Sequence, residues 1–363
     1  MRAEAVDAML PFLSERFGNP SGAHAMARDA RRAVDEARDV VATALGCQPG
    51  EVVFTSGGTE ADNAAVLGGG TGDGGVVCSA VEHHAVLAPV RALGGGVVAV
   101  GASGAVDLDA LAAHLHPGVR LASVMLVNNE VGTVQPLADV ASLVRERAPG
   151  AVLHTDAVQA LPWLDVASVA AGADLVSVSG HKVGGPKGVG ALVVRDGVAF
   201  TPRQIGGGQE RERRGGTQPV ASIVAMAEAV RLTVEERAAT NARVAVLRDR
   251  LVDGLVAQVD GLHETVDRAA KVAGNAHVCI EGVDAEAVLF LLEQGGVLAS
   301  AGASCASGAL EVSHVLQAMG VADSRARGAL RLSLGPTSTD ADVDRALEVV
   351  PAAVAQLREH GGG

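Results

Sequence analysis

Large aromatic rings are almost missing from this sequence. Its 363 residues include no Tyr, 1 Trp and 5 Phe. A core without such rings must be aliphatic, and Ala, Val and Leu supply it. Apolar runs long and clean enough to span a bilayer are absent. The opening MRAEAVDAMLPFL has no charged start, apolar run and cleavage site of the secretory kind. Cysteine is sparse: Cys47, Cys78, Cys279 and Cys305 stand far apart, with neither metal-ligand spacing nor a disulfide framework. That usage predicts a reducing, cytoplasmic setting. An excess of positive charge is absent too. The formal net charge of −13 argues against nonspecific nucleic-acid binding and leaves room for a smaller basic partner. With 48% hydrophobic and 20% charged residues, the chain is globular rather than disordered.

What the chain has in quantity is glycine, 46 residues, set between short β-rich runs and helical stretches. Strands are predicted at 52–54, 76–78, 97–100, 122–127, 152–155, 174–178 and 190–194. Helices are predicted at 24–45, from near Thr59, and at 107–115 and 137–147. In the first of these Met26, Ala30, Val34, Ala37, Val41 and Leu45 make the apolar stripe. The alternation implies an α/β domain around a largely parallel sheet of about seven strands, covered on both faces, with right-handed crossovers. Residues 219–257 read as one long or kinked helical region, with Arg243, Arg248 and Arg250 among its polar residues. Strands near 276–281, 297–300 and 328–334 and helices near 284–294, 313–319 and 340–358 then make a smaller α+β unit. The boundary is expected near residue 235, giving domains 1–235 and 236–363.

The stretch SVSGHKVGGPKGVGALVV, Ser177 to Val194, holds Lys182 in a turn between two strands, hemmed in by Gly180, Gly184, Gly185, Pro186 and Gly188. Such a turn presents an amine at a sheet end, where open α/β folds bind ligands; otherwise it is a basic surface turn. Gly57-Gly58-Thr59 follows a strand and opens a helix, which makes a phosphate seat or an ordinary connection. His83 and His84 follow the strand VVCSAVE and can cap a helix, or stack on a flat ring and move protons. Asp156 ends the strand AVLHT, with Gln159 three residues on. It can be an N-cap, or an ionised partner that keeps a heteroaromatic ring nitrogen protonated. Together these parts describe a pyridoxal 5′-phosphate (PLP) site: a Schiff-base lysine, a carboxylate on the ring nitrogen, and a helix start for the phosphate. Ser179 and His181 flank Lys182 closely enough to reach that phosphate. AGASCASG surrounds Cys305 with small residues, unlike a buried structural cysteine. Cys47, Cys78 and Cys279 read as packing residues.

The ordered segments FGNPSGAH, FTSGGTEADN, VEHHAV, NNEVGTVQP, HTDAVQA, SGHKVGGPKGVGAL, GGGQERERRGGT, SAGASCASG, SHVLQAMG and LRLSLG resemble the cysteine desulfurases whose reactive cysteine sits on a flexible loop. These belong to the aspartate-aminotransferase-like PLP superfamily. The resemblance covers nearly the whole chain. It implies the PLP-dependent transferase-like fold (fold type I) and assigns roles by position. Lys182 forms the Schiff base, and His83 stacks on the ring and assists protonation. Asp156 binds the ring nitrogen and Gln159 the phenolic oxygen. Gly58, Thr59, Ser179 and His181 lie at the phosphate, and Thr217 reaches the phosphate of a neighbouring subunit's cofactor in a homodimer. Asn129 and Arg331 fix the α-carboxylate of L-cysteine, Arg331 through its planar fork. Cys305 takes the sulfur as a persulfide, leaving alanine, and passes it to an acceptor protein such as an iron–sulfur scaffold or a tRNA-thiolation enzyme. The family pattern also places a short strand and an Asn/Asp-Ala-Ala-Thr-Thr-like segment, roughly 15 residues, ahead of the position of Arg2; it is expected to form one wall of the pocket. Selenocysteine lyase, cysteine-sulfinate desulfinase, an aminotransferase on the same fold, and a catalytically silent docking scaffold are the alternative readings.

Overall fold

The structure, a computed structural model, describes residues 1–70, 72–301 and 312–360. It divides into two compact units. The first takes residues 1–98, 107–126 and 135–237; the second takes 99–106, 127–134 and the chain from Ala238 onward.

The first unit is built on seven strands: β1 (Val52–Thr55), β2 (Gly75–Ser79), β3 (Gly96–Val98), β4 (Val119–Ser123), β5 (Val152–Asp156), β6 (Leu175–Ser179) and β7 (Gly190–Val194). Their order is β1-β7-β6-β5-β4-β2-β3. Every pairing is parallel except those of β7, which runs antiparallel to both β1 and β6. The sequences VVFT, VLHTD, LVSVS and GALVV are buried at every position, as a sheet covered on both faces requires. The expected strand over 122–127 ends at Ser123. Its continuation still follows β5, with Val124 N–H on the His154 carbonyl and Leu126 N–H on the Asp156 carbonyl.

Helices close the two faces for local reasons. His24 caps the helix Ala25–Leu45 by accepting from Ala27 N–H, and Gly46, at φ 61°, ends it. Ala30, Val34, Ala37, Val41 and Leu45 face inward as expected, but Met26 is exposed and Ala27 takes its place. Val53, Val66, Val86, Leu87, Leu121, Leu175 and Leu192 form the apolar core between sheet and helices. Truncating one of these leucines to Ala costs about 2–5 kcal/mol by lost burial and the cavity left behind. The predicted long helical region is one 39-residue helix, Val220–Gln258.

The second unit has an antiparallel sheet of β8 (Leu262–Glu264), β9 (Asn275–Ile280), β10 (Ser300–Ala301) and β11 (Ala329–Ser333), in the order β10-β11-β9-β8. The helices Ala285–Gln294 and Asp340–His360 belong to it. β8 is too short to stand out in the sequence, and β10 is shorter than the run at 297–300 suggests. No helix among the described residues is long and apolar enough to cross a membrane.

Candidate active site

The carboxyl ends of β1, β5 and β6 lie along one edge of the first sheet, because β7 reverses between β1 and β6. Lys182 sits at that edge. After β6 the chain makes a single 3₁₀ turn, Gly180–Val183, closed by Gly184 at φ 84°. That left-handed conformation suits glycine. Gly185 N–H binds the Gly180 carbonyl at 2.8 Å, and Arg2 N–H binds the Gly184 carbonyl at 2.8 Å. The backbone is thus pinned on both sides of the lysine while its side chain remains exposed.

Beside it lies the start of the helix Gly58–Gly68. A Cβ at Gly58 would stand 2.8 Å from Val158 Cγ2 and 3.6 Å from Ser179 Cβ, so glycine is what lets this helix start approach β6. Ser179 Oγ and His181 Nδ1 are 2.9 Å apart. Burial, with Lys182 and Lys187 adding to it, pushes the His181 ring below its ordinary value. Helix-start amides, a hydroxyl, an imidazole and two ammonium groups suit a phosphate dianion. Thr59 is exposed in the first turn of this helix.

Asp156 ends β5 with 4% of its surface exposed. Its Oδ1 accepts from Val158 N–H at 2.8 Å. Burial pushes the Asp156 carboxyl up to about 6, against the Val158 hydrogen bond and the Lys182 charge, which lower it. Gln159 is half-buried just beyond. His83 is half-buried and caps the helix His84–Ala92, its Nδ1 accepting from Ala85 N–H at 3.1 Å. That bond fixes the ring's orientation. A phosphate seat, an amine and a buried carboxylate on one sheet edge fit pyridoxal 5′-phosphate by the chemistry of the donor set.

Thr217 is exposed and follows the loop Gly206–Gly216. This loop is built around Glu210, Arg211 and Glu212, three consecutive residues at φ 47°, 54° and 65°. The Glu210 carboxylate is buried and takes both guanidinium nitrogens of Arg38 at 2.9 Å, Phe54 N–H at 3.0 Å and the Gln218 side-chain amide. Arg214 pairs with Glu60, in the first turn of the helix Gly58–Gly68, at 2.9 Å.

Sequence reasoning missed a polar cluster under this edge. His154 is fully buried in β5, with Nδ1 2.8 Å from Ser123 Oγ and Nε2 2.9 Å from Ser177 Oγ. Burial drives its pKa down to about 3, so the ring is neutral. Asp62 Oδ1 lies 3.7 Å from His154 Nε2. Glu82 accepts from Ser79 Oγ at 2.6 Å and Met125 N–H at 2.7 Å. Burial pushes the Glu82 carboxyl up to about 8, with Asp156 adding to the rise. The available signal was polar residues inside buried apolar runs: His154 in AVLHTD and Asp62 in EADNAAV.

Asn129 and Arg331 meet in the second unit, where Arg331 Nη1 donates to the Asn129 carbonyl at 2.9 Å. Next to Asn129, Glu130 accepts from Ser313 Oγ. Burial lifts the Glu130 carboxyl to about 7, against the Ser313 bond and the Arg331 charge. Cys305 lies outside the described residues. Cys78 and Cys279 are buried and Cys47 is half-buried; burial raises the pKa of all three thiols, which makes them poor nucleophiles.

The fold is that of the PLP-dependent enzymes of fold type I, and the chain belongs to the aminotransferase class-V family, whose model matches residues 1–346. Among its relatives, it is 44% identical to an IscS-like cysteine desulfurase of Mycobacterium tuberculosis, over 99% of this chain and 94% of that protein. It is 41% identical to the cysteine desulfurase IscS of Methanosarcina thermophila, over 99% and 90% of the two chains. Of solved structures, a NifS-like protein superimposes with a TM-score of 0.90 at 33% identity, covering 98% of this chain and 97% of that one. SspA in complex with cysteine does so with 0.80 at 31% identity, covering 93% and 97%.

Proposed function

We propose that the protein is a PLP-dependent cysteine desulfurase that takes sulfur from L-cysteine, releases L-alanine and holds the sulfur on Cys305. The observation that carries this reading is the placement of Lys182, in the turn after β6, and of the buried Asp156, at the end of the neighbouring β5, on one sheet edge. When bound, PLP supplies an electron sink for the substrate α-carbon. Lys182 would anchor it covalently, and its Nζ would accept the substrate α-proton. Asp156 as a carboxylate holds a proton at the ring nitrogen, and Gln159 bonds the phenolic oxygen. His83 covers the ring face. Gly58, Thr59, Ser179 and His181 hold the phosphate, joined by Thr217 from the second subunit of a homodimer. Asn129 and Arg331 hold the substrate carboxylate. The Cys305 thiolate attacks the substrate sulfur: an S–S bond forms and the Cβ–S bond breaks. The electron pair stays with the carbon that becomes the alanine methyl group. A thiol of an acceptor protein, in iron–sulfur assembly or tRNA thiolation in the cytoplasm, then takes the sulfur.

The test is visible absorption of the purified protein with and without L-cysteine, together with alanine and sulfide assays. The wild type should carry a lysine-bound chromophore and form both products. Lys182→Ala should hold no covalently attached cofactor. A wild type that binds no PLP, or a Lys182→Ala protein that keeps a lysine-linked cofactor through dialysis, would sink the reading.

A further inference from the structure

Three carboxyl groups, those of Asp62, Glu82 and Asp156, are buried together under the site, with 1%, 0% and 4% of their surfaces exposed. They are not equally provided for. Asp156 accepts from the Val158 N–H and feels the Lys182 charge. Glu82 accepts from Ser79 Oγ and Met125 N–H. For Asp62, the nearby Ser177 hydroxyl eases the burial of the carboxylate, and its Oδ1 has no hydrogen-bond partner. Its nearest ring, His154 at 3.7 Å, already has both nitrogens against Ser123 and Ser177.

Among the described residues, no Lys or Arg pairs with Asp62. It sits on the helix Gly58–Gly68, which packs against β1, β5, β6, β7 and the helix His84–Ala92. β5 presents Asp156 and the neutral His154, and β6 presents Ser177. β1 (VVFT) and β7 (GALVV) carry no titratable side chain. On the helix His84–Ala92, His84 in the first turn and Arg91 in the last are both exposed, and Glu82 precedes that helix. Glu60, on Asp62's own helix, is taken by Arg214. A carboxylate with so few donors and no cation is costly to bury.

We infer that Asp62 is a positioning residue that carries a proton at neutral pH, so that the negative charge of the cluster stays on Asp156. The inference rests on the reading of this edge as the ring-nitrogen site. A charged Asp62 would raise the proton affinity of Asp156 by repulsion and remove the counter-ion that the ring nitrogen needs. A neutral Asp62 leaves Asp156 free to ionise. In support, burial, then the Asp156 charge, drive the Asp62 carboxyl well above its ordinary range, with only Ser177 opposing.

The experiment is infrared difference spectroscopy of the full chain, with and without PLP, on wild type and Asp62→Asn near neutral pH, alongside the PLP dissociation constant. Asp62→Asn should lose one protonated-carboxyl C=O band and no carboxylate band. Its PLP affinity should stay within about threefold, since Asn copies the neutral acid. Ser177→Ala, which removes the hydroxyl on Asp62, should shift that acid band; this measurement stands even where Asp62→Asn folds poorly. Loss of a carboxylate band in Asp62→Asn, PLP binding weakened by about tenfold or more, or no acid band moved by Ser177→Ala would each overturn the inference. Failure of the wild type to bind PLP would instead strike the functional reading, and the apoprotein spectra would still report the state of Asp62.

Discussion

Replacing Glu210 with Ala tests how the loop before Thr217 is held. The carboxylate is buried, with 1% of its side chain exposed, and its partner Arg38 has 5%. Its loss leaves the Arg38 guanidinium with the Val52 carbonyl and the Phe54 ring, 4.7 Å away. It also strips the acceptor from Phe54 N–H and from the Gln218 amide. Breaking a buried pair from one side costs about 3–5 kcal/mol, because the surviving charge stays buried without compensation. The same carboxylate holds three residues in the left-handed region, a conformation that costs about 1–2 kcal/mol per residue, so the turn should open when the anchor goes. Urea unfolding of the apoprotein should show the stability loss, and trypsin should cut faster at Arg211, Arg213 and Arg214. Arg38→Met together with Glu210→Leu should recover much of the loss, by removing the orphaned charge as well. Glu212→Gly, at φ 65°, should slow cleavage by relieving strain. A Glu210→Ala protein that loses less than about 1 kcal/mol and resists trypsin would refute the argument.

Three further outcomes are expected. Glu130 binds its proton more tightly folded than unfolded, so it contributes stability below pH about 4.5 that is lost as pH rises to about 7; Glu130→Gln should flatten that fall, and urea midpoints across the range with an unchanged slope would contradict it. Cys305→Ser should keep PLP and its cysteine-dependent spectral change while forming almost no alanine or persulfide, measured by product assay and mass spectrometry; near-normal sulfide release would point to a lyase that needs no protein thiol. Thr217→Val should weaken PLP retention by about 1.5–3 kcal/mol, the worth of a hydrogen bond to a charged acceptor, read by equilibrium dialysis; unchanged retention would remove Thr217 from the phosphate site.

Much of the first unit was legible because its strands are short apolar runs between glycines: β7 at Gly190–Val194 and the helix Leu137–Arg147 fall where the pattern puts them. Met26 misled because a small Ala27 can occupy a buried stripe position that a larger neighbour leaves for solvent. Arg248 misled in the opposite direction. Placed among polar residues by its type, it is buried, with its guanidinium reaching the Val272 carbonyl and its neighbour Asp249. Residues that present themselves at strand ends, such as Lys182 and Asp156, could be read from glycine and strand boundaries. Asp62, His154 and Glu130 could not, because their importance comes from long-range burial against partners such as Ser177 and Ser313, and no local spacing encodes that.

The antiparallel pairing of β6 with β7 makes the lysine turn the tip of a hairpin, paired from Leu175↔Val194 to Ser179↔Gly190. Sliding that hairpin by one residue would send every side chain to the opposite face, so the sheet register sets where the pinned lysine turn sits. A hairpin also joins partners close in sequence, which the parallel strands around it do not. Its amide protons, central in the sheet and locally paired, should be among the slowest to exchange with deuterium even without cofactor. The protein would then hold the Lys182 amine in place before any ligand binds.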